Sequence, residues 1–318
     1  MLTAKDLHGL MAMMPAFATD DAADINATDT VSVARMEKGL DRMIRDGANV
    51  ISAAGSFGEF HTLLPDEFKT LAHAASDITK QRVPLFVGAT GLNTREVIAK
   101  LKVVSQTKAD GVLVGVPFYF PSSPGNAVRF YRDIAELFPK LAIMIYHNPP
   151  LHNVKLNLPV MEQILKIPSV IGMKDSHRDP LEYVKLCDMA KGKMSVFCNQ
   201  WQYMAFQPLG APGFWSIDAW MGPWPCLALR DAVNRGDWKR AKEISLDLAP
   251  PYSGAPPNLS WRETGSKIGV KYAGYVEPGP LRPPFLEIPP EVDEAQKRSA
   301  ERWKKLCDKY RADVSVPA

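Results

Sequence analysis

The chain has 318 residues, 46% of them hydrophobic, enough to bury one large core or two modest ones. Its formal net charge is only +3, and acidic and basic residues are mixed along it, so no basic stripe points to nucleic acid and no acidic tail to a solvating role. Four scattered cysteines, Cys187, Cys198, Cys226 and Cys307, show no metal-ligand spacing, which argues against a zinc site and reads as thiols of a reducing, cytoplasmic compartment.

The first apolar run is "LMAMMPAF". With Lys5 ahead of it, the stretch "LHGLMAMMPAFA" mimics a secretory leader, but Pro15 interrupts it, Asp6 adds an acid, and it serves better as a first strand. There follow "ANVISAAG", "VPLFVGAT", "GVLVGVPF", "LAIMIYHN", "VIGMK", "MSVFC" and "GFWSI", which make eight candidate strands. Most are continuously apolar, the pattern of parallel strands covered on both faces. Amphipathic stretches between them predict helices over 31–45, 65–78, 94–106, 126–137 and 158–166, the second opening on Pro65 and the third on an Asn93 cap. Beyond the eighth strand, 223–234, 237–248 and 291–311 read as further helices, separated by the Pro/Gly-rich "APPYSGAPPN" and "EPGPLRPPFLEIPPE". The tail "DVSVPA" is expected to be loose.

Eight strand–helix units predict a (β/α)8 TIM barrel over residues 1–221, with 222–318 as a C-terminal helical extension packed on it. A doubly wound sheet is disfavoured because no G-x-G-x-x-G or Walker loop follows the first strand. No apolar segment approaches the roughly 20 residues that cross a bilayer, so no membrane partner is expected.

In a barrel, the C-terminal strand ends and the loops leaving them build the active site. Lys174 ends the sixth strand, where the plain reading is a lysine snorkelling to water. In an apolar barrel mouth, however, desolvation leaves a neutral amine that can attack a ketone and form a Schiff base. Tyr146, ending the fifth strand, is a proton shuttle for such chemistry or else a core tyrosine bonded to backbone. After the second strand, Gly55-Ser56-Phe57-Gly58-Glu59 can offer the Ser56 hydroxyl and the Phe57 amide to a keto-acid carboxylate, or simply turn the chain.

Together these residues resemble the dihydrodipicolinate synthase/N-acetylneuraminate lyase family of class I aldolases, from about residue 10 to 290. The glycine turn, Tyr146-His147-Asn148-Pro149 and Gly172-Met173-Lys174-Asp175 carry the likeness in the family's order. The resemblance implies a barrel with C-terminal helices, usually a homotetramer. It also implies catalysis by Lys174 and Tyr146 through a covalent imine with pyruvate, and no metal or organic cofactor.

Departures from the family refine this reading. Phe57 replaces the second of two consecutive threonines typical of dihydrodipicolinate synthases, and "YHNPPLHN" lacks their substrate-gripping arginine. With "GFWS", "MGP…LRDAV…GDW…AKEIS" and "GPLRPP", the chain resembles the trans-o-hydroxybenzylidenepyruvate and trans-2'-carboxybenzalpyruvate hydratase-aldolase subgroup. That implies hydration and cleavage of an arylidene-pyruvate to an aromatic aldehyde and pyruvate.

Phe57, Phe118, Tyr119, Trp215 and Trp220 are candidate walls for the aryl ring, each alternatively core or interface. Trp215 leads the set, Trp220 could lie under the helical layer, and Tyr119 could serve its own pocket or a neighbour's. Lys267, in "GSKIGVKY", is a candidate partner for a ring carboxylate, although lysines in such loops are usually solvated. His61, His147, His152 and His177 have no metal spacing and read as structural or rim groups; His147 is the one to test for proton transfer, and Glu59 is expected to cap or orient its loop. An aldolase for sugar-derived 2-keto acids and a keto-acid-binding barrel without turnover remain as alternatives.

Overall fold

The computed structural model describes residues 2–176, 178–249 and 259–314. Parallel strands β1 (Gly9–Met13), β2 (Val50–Ala53), β3 (Leu85–Gly88), β4 (Gly111–Val114), β5 (Ala142–His147), β6 (Val170–Asp175), β7 (Ser195–Asn199) and β8 (Gly213–Ser216) form a barrel. It closes where β8 pairs with β1, Met11 opposite Trp215. Each expected strand run holds one of these strands.

The helices alternate with the strands as expected. They are α1 (Val33–Arg45), α2 (Pro65–Thr79), α3 (Thr94–Val104), α4 (Pro124–Leu137), the short α5 (Pro149–His152) and α6 (Leu158–Ile164). After β6 come α7 (Pro180–Ala190) and the single-turn α8 (Tyr203–Phe206). The Asn93 side chain accepts from the Glu96 amide at 3.0 Å, so α3 starts at the expected cap.

The continuous apolar runs are explained by two cores that divide each strand between them. On β1, Met11 and Met13 face the barrel interior, while Leu10 and Ala12 face the helices. On β5, Ala142, Met144 and Tyr146 point inward, and Ile143 and Ile145 outward. Both faces are covered, so both are apolar.

The C-terminal segment adds α9 (Trp224–Asn234), α10 (Trp238–Leu248), α11 (Leu259–Ala273) and α12 (Pro290–Tyr310). It is tied down by hydrogen bonds from Trp303 Nε1 to the Gly222 carbonyl at 2.9 Å and from Arg42 Nη1 to the Tyr275 carbonyl at 2.6 Å. The segment 265–272, expected in a loop, belongs to α11. Its glycines lower intrinsic helix propensity but serve packing: a Cβ on Gly269 would lie 2.6 Å from Gln296 Oε1 of α12. The expected linker 249–258 lies outside the described residues after Ala249, as does the tail from 315 onward. Among the described residues, no helix is long and apolar enough to cross a membrane.

Candidate active site

Lys174 reaches the barrel interior because of an irregularity in its strand. Ile143 pairs with Val170, but Met144 pairs with Gly172, so β6 carries one extra residue at Ile171. Ile171 faces inward and Met173 outward. Strict alternation from Ile171 would send Lys174 outward; the bulge reverses the parity and turns the lysine in. There its Nζ lies 3.9 Å from the Trp215 ring centroid and 4.3 Å from that of Tyr146, with Ser176 Oγ at 3.4 Å. The side chain is almost wholly removed from solvent, at 4% exposure.

Tyr146 stands directly across from Lys174 in the β5–β6 register. Its hydroxyl is 3.0 Å from Ser56 Oγ, and Asn148 Nδ2 donates to it at 3.5 Å. A lysine amine, a phenol and a serine hydroxyl thus adjoin one another at the mouth of a largely apolar barrel interior. Such a chain can pass a proton between a group bound at Lys174 and one held at Ser56. The turn that supplies Ser56 is tightly specified: Ala54 and Glu59 both adopt left-handed backbone, with φ of 49° and 53°. At Gly58 a Cβ would approach the Ala54 Cα and N to 3.0 Å, so a side chain there would press the backbone of the turn apart.

One residue further along the same two strands, His147 and Asp175 face each other on the outer side. His147 Nδ1 lies 3.1 Å from Asp175 Oδ1, and His147 Nε2 accepts from the Leu156 amide at 3.2 Å. The accepting Nε2 places the proton on Nδ1, and both ring nitrogens are engaged. His147 is thus held as a structural group, with neither ring nitrogen left for proton transfer. Asp175 also accepts from Arg178 Nε at 2.6 Å. Burial alone would raise the Asp175 carboxyl, but its hydrogen bonds from His147 and Arg178 and the Arg178 charge outweigh it and hold the pKa at about 2. Trp215 Nε1 donates to the Asp175 carbonyl at 3.1 Å, so this bracket also fixes the indole over Lys174. Arg178 was not singled out from sequence, although the Asp175–Arg178 spacing of three was visible in "KDSHR".

The remaining candidates separate. Trp215 belongs to the interior cluster with Tyr146, whereas the buried Phe57 ring packs in the layer between barrel and helices. Phe57 is therefore placed apart from Trp215 as a wall for an aryl ring; the Ser56–Phe57 backbone remains at the turn. Trp220 is fully buried, edge-on to Phe17 at 5.8 Å, under the helical layer. Tyr119 is 71% exposed and lines a surface cleft with Leu92, Val116 and Phe120. Phe118 is half-buried, 6.3 Å from His152. His152 meets the Tyr146 ring edge-on at 4.7 Å; burial, helped by nearby Lys174, lowers its pKa to about 4 and keeps it neutral. Burial likewise lowers the His61 pKa, against the pull of Glu59. His177 lies outside the described residues.

Lys267 calls for a correction. It is a buried helical residue rather than a loop cation, and its Nζ is held by Glu59 Oε1 at 2.8 Å and the Pro280 carbonyl at 2.6 Å. It is not waiting for a ring carboxylate, because Glu59 already supplies one. Glu59 is also gripped by Arg282 of "GPLRPP", through Nη1 to Oε2 at 2.9 Å. Among the described residues no group of histidine, cysteine and acidic side chains is arranged to hold a metal ion.

The model of the Dihydrodipicolinate synthetase family matches residues 14–302. A trans-O-hydroxybenzylidenepyruvate hydratase-aldolase of Pseudomonas aeruginosa is 33% identical over 323 aligned positions, covering 97% of this chain and 96% of its own. A trans-2'-carboxybenzalpyruvate hydratase-aldolase of Nocardioides sp. (strain KP7) is 27% identical, covering 99% and 98%. Among solved structures, PhdJ bound to substrate intermediate superposes with a TM-score of 0.89 at 28% identity, covering 97% of this chain and 99% of that one.

Proposed function

We propose, for a chain that belongs to the Dihydrodipicolinate synthetase family, that it is a Schiff-base-forming lyase, a hydratase-aldolase acting on an arylidene-pyruvate. The observation that carries this reading is the pairing of Lys174 with Tyr146 across one strand register, under the Trp215 ring and beside Ser56. The names of the relatives supply the substrate class.

The Lys174 amine adds to the C2 ketone and water leaves, giving an iminium conjugated with the side-chain double bond. Ser56 and the Phe57 amide hold the carboxylate. Water then adds across the double bond, its oxygen to the benzylic carbon and its proton to C3. Tyr146 takes the proton of the new hydroxyl as the C–C bond breaks, and the electron pair moves toward the iminium, leaving an enamine. Aromatic aldehyde departs; C3 is protonated; a second water hydrolyses the imine and frees pyruvate. Over the cycle one water is consumed: arylidene-pyruvate plus water gives aldehyde plus pyruvate. Trp215 serves both steps, as an apolar face over the imine and a wall for the ring.

Borohydride reduction in the presence of pyruvate, followed by peptide mass spectrometry, tests the reading. A reduced pyruvate adduct on Lys174 is expected; a folded protein that traps none defeats it. A homotetramer belongs to the same proposal. It is favoured by the exposed Tyr119 and Phe120, 71% and 76% accessible, which suit burial against another copy. Sedimentation velocity at several concentrations checks it, and a monomer throughout would exclude it.

A further inference from the structure

The turn that carries Ser56 ends in a group of charges that the proposed reaction does not use. Both carboxylate oxygens of Glu59 are taken, Oε1 by Lys267 and Oε2 by Arg282. Arg282 spends its other donors on Thr30, with Nε 2.7 Å from Oγ1 and Nη2 2.7 Å from the carbonyl. Thr30 in turn donates through its amide to Glu67 Oε1 at 2.8 Å, and Glu67 Oε2 accepts from the Leu64 amide at 2.7 Å. Glu59, Glu67, Lys267 and Arg282 are all buried, two acids against two bases.

Such a network is a poor source of stability. Desolvating the charges costs about what their attraction returns, and well-packed apolar residues would do as well or better. What it does supply is a single geometry, and the geometry it fixes is that of the turn. The Glu59 amide donates to the Ser56 carbonyl at 3.0 Å, closing the loop, and the Glu59 backbone is held in the left-handed region. A glutamate at that position is strained, and here its carboxylate anchors it to residues more than 200 positions away.

We infer that Glu59, Lys267 and Arg282 are positioning residues, through which the C-terminal segment holds the Ser56 turn in the shape that receives a keto-acid carboxylate. The inference rests on the aldolase reading and deepens it. A consequence is a dependence on pH. Burial lowers the Lys267 pKa to about 8, with Glu59 opposing the shift and Arg282 and Arg35 adding to it. Above that pH Lys267 loses its charge, Glu59 keeps Arg282 as its charged partner and only a weaker neutral hydrogen bond from Lys267, and the turn loosens. The sign for stability is the opposite. A lysine whose folded pKa is below its unfolded value of 10.5 binds fewer protons folded than unfolded between about 8 and 10.5, so its contribution to stability rises across that window. Weaker binding together with undiminished folding separates positioning from a merely structural role.

The test uses the full chain and pyruvate, reading the pyruvate concentration that half-saturates borohydride trapping between about pH 7 and 9, with thermal melts alongside. Each variant is read as its ratio to wild type at the same pH, which removes the titration of Lys174 itself. Lys267→Met is expected to raise half-saturation about tenfold near pH 7, the worth of one charge-assisted hydrogen bond, with trapping at saturation unchanged. This ratio should shrink toward one near pH 9, where wild-type Lys267 is itself neutral. Lys267→Arg, charged at every pH used, is expected to keep wild-type affinity at pH 7 and to bind more tightly than wild type at pH 9. Wild-type affinity in a folded Met variant overturns the inference. If the Met variant fails to fold, an Arg variant whose ratio to wild type is flat across the range overturns it instead. Wild-type protein that traps no pyruvate fails the aldolase reading and this proposal with it, whereas trapping in which both variants keep a ratio of one at every pH fails this proposal alone.

Discussion

Strands β5 and β6 present two facing pairs one residue apart, and the pairs are suited to opposite work. Tyr146 and Lys174 face inward, under Trp215 and beside Ser56; His147 and Asp175 face outward, bonded to each other, to Arg178 and to backbone. The outward pair has its polar atoms committed to permanent partners, which suits a bracket. The inward pair is set among apolar walls, with hydroxyl neighbours able to give or take a proton, which suits a reaction. Adjacent residues on one strand thus meet different surroundings because the pleat turns them to opposite faces of the sheet.

The largest effect expected is on the inward side. Lys174→Ala should abolish the trapped adduct and bring turnover to background, while the melting temperature holds or rises, since a buried lysine is costly to keep. Loss of fold along with activity would make Lys174 a structural residue like the outward pair. Tyr146→Phe should lower kcat by about 10²–10⁴-fold, the usual worth of a general acid–base group. Because the amine is untouched, the pyruvate adduct should still form, slowly. A Phe variant with wild-type kcat would assign the proton transfer elsewhere.

On the outward side, the expected loss is in stability. Asp175→Ala leaves Arg178 buried without its main partner, and such deletions cost about 3–5 kcal/mol, to be read from denaturant midpoints. Asp175→Asn sharpens this through pH. The folded Asp175 pKa of about 2 lies below its ordinary 3.8, so its contribution to stability is full above about pH 4 and is lost as pH falls toward 2. Wild-type protein should lose stability across that window more steeply than the Asn variant; parallel curves would mean that Asp175 is not the group responsible.

The contrast between the two pairs also measures what the sequence discloses. The eight apolar runs, the barrel and the order of the glycine turn, Tyr146 and Lys174 were all legible, because each is carried by a local pattern. Which way Lys174 points was not. The bulge at Ile171 depends on pairing with β5, and Gly172 within the run is its only local trace. Helix α11 was missed for a similar reason, its glycines reading as breakers until Gln296 of α12 is laid against them. Lys267 was misread most. Its partner Glu59 is 208 residues away, and no spacing in a sequence reports an ion pair of that separation.

Trp215 joins the two regions, and the smallest effect is expected there. Its ring lies over Lys174 Nζ, and its indole N–H donates to the Asp175 carbonyl. Trp215→Phe keeps an aromatic face but deletes the donor, which costs about 1 kcal/mol for a hydrogen bond, plus the carbonyl's unmet need. If the indole only braces the bracket, stability falls by that amount and KM for an arylidene-pyruvate is unchanged. If it is also the wall against which the ring lies, KM rises by a few-fold, since a stacked aromatic pair is worth about 0.5–1.5 kcal/mol, while half-saturation by pyruvate, which has no ring, stays where it was. The proposed function requires the second pattern. Equal rises for both ligands would place Trp215 with the imine alone and leave the aryl group to some other surface of the barrel mouth.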